Sequence, residues 1–137
     1  MRHGTTVVVT EPVEQAMPRK VSIETAEHYS WGRGCDGWHL VKQADLGVIR
    51  ERMPPGTAEV RHFHKAARQF FFILAGSAVL EADGSEHELA AGQGLEVAPG
   101  TPHQMFNRSE ADVEFLVVSQ PNSHGDRVLS PGRADAG

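Results

Sequence analysis

The chain has one cysteine and one tyrosine in 137 residues, and it has no long apolar run. A lone Cys35 finds no intrachain partner, so no disulfide framework holds the fold together and a reducing compartment is compatible with it. The longest N-terminal apolar run, Val7-Val8-Val9, falls far short of the roughly 20 residues of a membrane helix and of a signal-peptide core. A cytoplasmic location with no membrane partner is therefore expected. The 13 Lys and Arg residues are scattered among 18 Asp and Glu, for a formal charge of −5. That leaves no basic stripe to track a phosphate backbone, so nucleic acid is not an expected partner and a small molecule is. A Ser-His-Asp nucleophile frame, a phosphate-cradling glycine loop and a dinucleotide fingerprint are also missing.

What is present is punctuation. Glycine and proline recur at short intervals, with apolar or β-branched runs of four to eight residues between them, which predicts an all-β single domain. Strands are expected over 38–42, 47–53, 59–64, 69–74, 77–81, 86–89, 94–97, 104–107 and 113–119. Pro54-Pro55-Gly56, Ala75-Gly76, Asp83-Gly84, Ala91-Gly92 and Pro99-Gly100 supply the breaks, and Asp83-Gly84 signals a hairpin. A helical turn is allowed at 24–29. The domain is expected over 21–129, between an N-terminal arm (1–20) and a C-terminal tail (130–137), with an extra edge strand allowed at 7–10.

Chemistry concentrates in the run Arg61-His62-Phe63-His64 and in His103. Residues i and i+2 of a strand project from one face, so His62 and His64 aim two imidazoles at a common point. A third imidazole from a neighbouring strand would complete a metal-binding face. By the same alternation Gln69, Phe71 and Ile73 share a face, as do His103 and Met105, making Phe71, Ile73 and Met105 the expected apolar wall of a substrate pocket. Phe70, Phe72 and Phe106 should point outward, toward a second layer or a subunit interface. Asn107 is expected to be a structural hydrogen-bonding residue at a strand end.

Two spaced frames surround these residues: Gly56, His62-Phe63-His64, Gln69 and Gly76 in the first; Gly92, Ala98-Pro99-Gly100, His103 and Asn107 in the second. Together they resemble the two motifs of the cupin superfamily. The resemblance covers about residues 47–119 and implies a double-stranded β-helix, or jelly-roll, cupin barrel, in which His62, His64, Gln69 and His103 would bind one divalent ion. Zn, Mn, Fe, Ni and Co all suit such donors. It also implies a homodimer. Gln69 departs from the motif, which usually has Glu there, and Ala98 stands where proline is common. An amide oxygen can ligate but brings no charge, so the ion would keep its formal +2, favouring Lewis-acid work over redox chemistry.

The function implied is a metalloenzyme of isomerase or lyase type acting on a small polar metabolite. A dioxygenase using Fe or Ni is the second reading, and a non-catalytic small-molecule-binding cupin the third. The catalytic residues are not named by any motif. Three further segments are ambiguous. The stretch Trp31-Gly32-Arg33-Gly34-Cys35-Asp36-Gly37-Trp38-His39 reads as an anchor of the N-terminal region with a buried thiol, in preference to a lid presenting Cys35 or His39 to substrate. Arg50 and Arg52 read as a surface ion-pair face in preference to an anion clamp, and 123–127 as a solvated turn in preference to polar groups reaching a pocket mouth.

Overall fold

The computed structural model describes residues 17–132. The possible edge strand at 7–10, most of the N-terminal arm and the last five residues of the tail lie outside the described residues. Eleven strands follow one another: β1 (Glu27–Trp31), β2 (Cys35–Lys42), β3 (Gly47–Met53), β4 (His62–His64), β5 (Arg68–Ala75), β6 (Ser77–Ala82), β7 (Ser85–Ala90), β8 (Gly94–Val97), β9 (His103–Phe106), β10 (Val113–Gln120) and β11 (Arg127–Leu129). They form two antiparallel sheets, β1-β2-β3-β10-β5-β8 and β11-β4-β9-β6-β7. This is the double-stranded β-helix arrangement, all-β as expected, and among the described residues no helix is long and apolar enough to cross a membrane.

Alternation explains why these segments pair. Along β10, Val113, Phe115, Val117 and Ser119 are buried while the residues between them are only partly covered. Along β5, Gln69, Phe71 and Ile73 are buried while Phe70 is exposed. The inward residues of the two sheets meet in one core, in which Met53, Ile73, Leu80, Met105, Val113 and Phe115 are almost wholly removed from water. Each such side chain contributes roughly 1.5–3 kcal/mol on burial. Asp83 (φ 52°) and Gly84 (φ 92°) both adopt the left-handed conformation between the paired residues Ala82 and Ser85. Two successive positive φ values are what a tight two-residue hairpin turn needs, and an Asp-Gly pair supplies them.

Three expectations are corrected. Residues 27–31 form a strand rather than part of a helical turn; only the turn at 22–26, closed by Ala26 N donating to Ser22 O at 2.8 Å, has helical character. The strand expected at 59–64 is ordered as a strand only over His62–His64, because the chain before it diverts to bond β9. The segment 127–129, assigned to no strand from sequence, pairs with β4.

Candidate metal centre

His62 on β4 lies directly across from His103 on β9 in antiparallel register. His64 sits two residues along β4, on the same face. The ring centroids of His62 lie 5.0 Å from those of His64 and 4.6 Å from those of His103. One ring nitrogen from each of the three comes within 4.8 Å of the others, and all three residues are buried. Two backbone carbonyls orient the rings: His62 Nδ1 donates to Val60 O at 2.7 Å and His103 Nδ1 to Thr101 O at 2.9 Å. Fixing the proton on Nδ1 leaves the Nε2 lone pair of each ring available as a ligand.

Gln69 reaches the same cavity from the facing sheet. It is paired across β5–β10 with Ser119, and its Nε2 donates to Ser119 Oγ at 3.0 Å inside the protein. That bond turns the amide so that Oε1 is left over. His64 Nδ1, Gln69 Oε1 and His103 Nε2 are all buried with no hydrogen-bond partner among the described residues. Leaving such atoms unpaired costs about 1–3 kcal/mol each. A divalent cation is one species that satisfies two imidazole nitrogens and an amide oxygen at once, so the donors fit a metal. Burial also suits this role electronically. It pushes the pKa of His62 down to about 3 and lowers those of His64 and His103, with neighbouring positive charges adding to the effect, so the rings stay neutral and able to coordinate.

Beside the histidines lies a cavity of about 330 Å³. Phe71 lines it and meets His103 edge-on, with ring centroids 5.5 Å apart. Ile73 and Met105, also expected on the pocket wall, instead lie in the hydrophobic core, since the strands carry them beyond the cavity floor. Asn107 is buried at the end of β9, donating to Met53 O at 2.9 Å and Ala111 O at 2.8 Å while its Oδ1 accepts from Ser109. Its role is to close the turn.

The ambiguous segments resolve by contact. Residues 31–39 form the hairpin between β1 and β2; Cys35 is buried, with its thiol pKa raised by burial, and is not a reactive thiolate. Trp31 Nε1 donates to Asp36 O at 3.1 Å. Arg50 pairs with Glu114, and Arg52 with Asp36 at 2.7 Å and Asp112 at 3.0 Å, forming the expected ion-pair face. The turn at 123–127 is more than a solvated connection. Asp126 accepts the backbone N–H groups of Lys65, Ala66 and Ala67 at 3.1, 2.9 and 3.0 Å, fixing the loop that leaves His64.

Sequence reasoning missed Tyr29, Glu51 and Glu59 on the cavity wall, and Ser123 and Arg127 line it too, as the less favoured reading of 123–127 allowed. A signal existed for Glu51: it shares the inward face of β3 with Ile49 and Met53, whereas Arg50 and Arg52 face out.

Comparison with known proteins agrees with this architecture. The cupin domain profile matches residues 49–119. The chain is similar to an oxalate-binding protein of Thermotoga maritima, 30% identical over 124 residues that cover 86% of this chain and 97% of the relative. It superposes on a cupin-superfamily sugar phosphate isomerase from Silicibacter pomeroyi with a TM-score of 0.68 and 26% identity, covering 76% of each chain. A polyketide cyclase, RemF of Streptomyces resistomycificus, shares the fold at a TM-score of 0.72 and 17% identity, over 87% of this chain and 89% of that one. With the two strand-borne histidines and the third from β9 in their motif positions, and a profile spanning more than half its length, the chain belongs to the cupin superfamily.

Proposed function

We propose that this protein is a metal-dependent enzyme of isomerase or lyase type acting on a small polar metabolite, with His62, His64, Gln69 and His103 as ligands to one divalent ion. The observation that carries this reading is the convergence of ring nitrogens from the buried His62, His64 and His103 within 4.8 Å of one another, with His64 Nδ1, His103 Nε2 and Gln69 Oε1 buried and without a hydrogen-bond partner among the described residues. Bound there, such an ion would supply Lewis-acid polarisation of a ligand oxygen. The four donors are all neutral, which supports Lewis-acid chemistry over the dioxygenase alternative, where anionic ligands sustain higher oxidation states. Phe71, Val117 and Ile49 keep part of the wall apolar, restricting water around the reacting groups. A cavity of about 330 Å³ suits a small metabolite, and likeness to a sugar phosphate isomerase at 26% identity supports the isomerase class.

Likeness to an oxalate-binding protein across nearly the whole chain favours a second reading, a small-molecule-binding cupin without turnover. Exposed Phe70 on the outer face of the six-stranded sheet, with exposed Leu46 of the β2–β3 connection lining the same depression, supports pairing of two copies there. The lone buried thiol is consistent with a cytoplasmic location.

The test is elemental analysis of protein purified without a metal-binding tag, followed by turnover and oxygen-uptake assays on a metabolite panel. Zinc, manganese or another divalent ion with turnover and no oxygen uptake is the expected result. Oxygen uptake would favour the dioxygenase, and binding without turnover the second reading.

A further inference from the structure

Two carboxyl groups on the cavity wall are not used by the metal site. Glu51 on β3 and Glu59, in the segment leading into β4, are half-buried and line the cavity together with His62. Tyr29 donates its hydroxyl hydrogen to Glu51 Oε2 at 2.9 Å. The backbone N–H of Met105 donates to Glu59 Oε1 at 3.1 Å. Each carboxyl is thus held through one oxygen, while the other has no hydrogen-bond partner among the described residues. Neither has a cationic partner within salt-bridge distance, unlike most acids on the outer face of the same sheet. Arg127 lines the same cavity, but its guanidinium lies 3.5 Å from Val60 O and forms no ion pair among the described residues.

Two desolvated acids in one cavity cannot both be charged cheaply. Burial pushes Glu51 up to about 7 and Glu59 up to about 8, the latter helped by the charge of Glu51; the Tyr29 bond and Arg127 pull Glu51 back down, and the Met105 N–H and Arg127 do so for Glu59. The charged form is disfavoured at both carboxyls, and the charge of Glu51 raises Glu59 further, which is the order expected of a base beside an acid. A structural carboxylate would be expected to have a cation or several N–H donors, as Asp126 has.

We propose that Glu51 and Glu59 are the acid–base pair of this cavity, acting on a small α-hydroxycarbonyl compound, with Tyr29 positioning Glu51. This rests on the metalloenzyme reading and names the proton-transfer groups that reading leaves open. In the forward step Glu51 takes the hydrogen of the hydroxyl-bearing carbon as a proton. The C–H electron pair becomes the C=C bond of an enediol, the carbonyl π pair moves to its oxygen, and that oxygen takes the proton of Glu59. In the second step Glu51 returns its proton to the former carbonyl carbon while Glu59 recovers one from the other hydroxyl, which becomes the new carbonyl. Both carboxyls end as they began, and no oxidant or reductant is needed.

The test follows exchange of carbon-bound hydrogen for deuterium in D₂O by proton NMR. It uses the metal-loaded full chain with dihydroxyacetone and hydroxypyruvate as probes. Wild type is expected to exchange the α-hydrogens. Glu51→Gln should slow exchange by about 100-fold or more with metal content unchanged, and Glu51→Asp should restore part of it. Tyr29→Phe should move the acid limb of the pH profile upward, a change that a purely structural Tyr29 would not cause. Exchange within a few-fold of wild type in Glu51→Gln, or no exchange by metal-loaded wild type, would overturn the assignment while leaving the metal site standing. Exchange by a wild type that holds no metal would overturn the metalloenzyme reading instead. A carbon-13 titration of glutamate-labelled wild type adds a check independent of turnover: two carboxyls should titrate above pH 6.5, and ordinary values for both would refute the pair.

Discussion

At position 69 a neutral amide occupies the place where the cupin pattern usually has a carboxylate, so an ion held by the proposed ligand set would keep its full formal charge. Gln69→Glu should be accommodated locally, because Ser119 Oγ, now an acceptor from Nε2, can rotate its hydrogen to donate to a carboxylate instead. Tighter metal binding, measured by competition with a chelator, is expected together with slower turnover. Unchanged affinity would show that residue 69 is not a ligand. The histidines were legible in the sequence because two of them share a strand face and the third sits in a matching frame. Glu51 was harder to read, although its alternation with Ile49 and Met53 pointed inward. Flanked by Arg50 and Arg52 it looks like one more charge on a solvated strand, and the pairing of those arginines with Glu114, Asp36 and Asp112 on the outer face fixes which way the residue between them points. Glu59, Ser123 and Arg127 reach the cavity through loops and a three-residue strand, where alternation gives no guide.

Among the strands, the β1–β2 hairpin links the edge of the larger sheet to the cavity. Gly37 on β2 faces Tyr29 on β1, and a Cβ there would lie 2.1 Å from Tyr29 Cζ and 2.5 Å from its hydroxyl oxygen. Gly37→Ala must therefore displace the ring and break its bond to Glu51. The expected result is a loss of about 1–3 kcal/mol in urea unfolding with metal content preserved, because the three histidines belong to the other sheet and Gln69 lies on β5, three strands away from β2; loss of metal together with stability would contradict this separation. The hairpin was hard to read from sequence because β1, Glu27-His28-Tyr29-Ser30-Trp31, buries no residue fully and owes its strand form to pairing with β2. Central strands such as β10 declare themselves by alternation; edge strands such as β1, which buries no residue fully, and β11, with three residues, do not show a pattern.

For the whole molecule, the buried titratable groups set opposing pH limits on the metal-free fold. The histidines have folded pKa values below their ordinary 6.5, so the unfolded chain takes up protons first and their contribution is lost as pH falls from 6.5 toward the value of about 3 at His62. Glu51 and Glu59 have raised values, so their contribution is complete below about 4.5 and lost as pH rises through 7 and 8. Urea titrations of metal-free protein should accordingly show Glu59→Gln gaining stability relative to wild type as pH rises from 6 to 9; a difference independent of pH would place the Glu59 carboxyl in water. The sheet architecture was foreseeable from turn chemistry and strand length, whereas the shared burial of carboxyls and imidazoles emerges only when both sheets close around one cavity. The most direct measurement is X-ray absorption at the edge of whichever metal the purified full chain retains, in wild type and in His103→Ala. Imidazole nitrogens are expected at roughly 2.0–2.2 Å from the ion, with metal lost from the variant. The same metal content and the same imidazole shell in both proteins would rule out His103 as a ligand and with it the proposed centre.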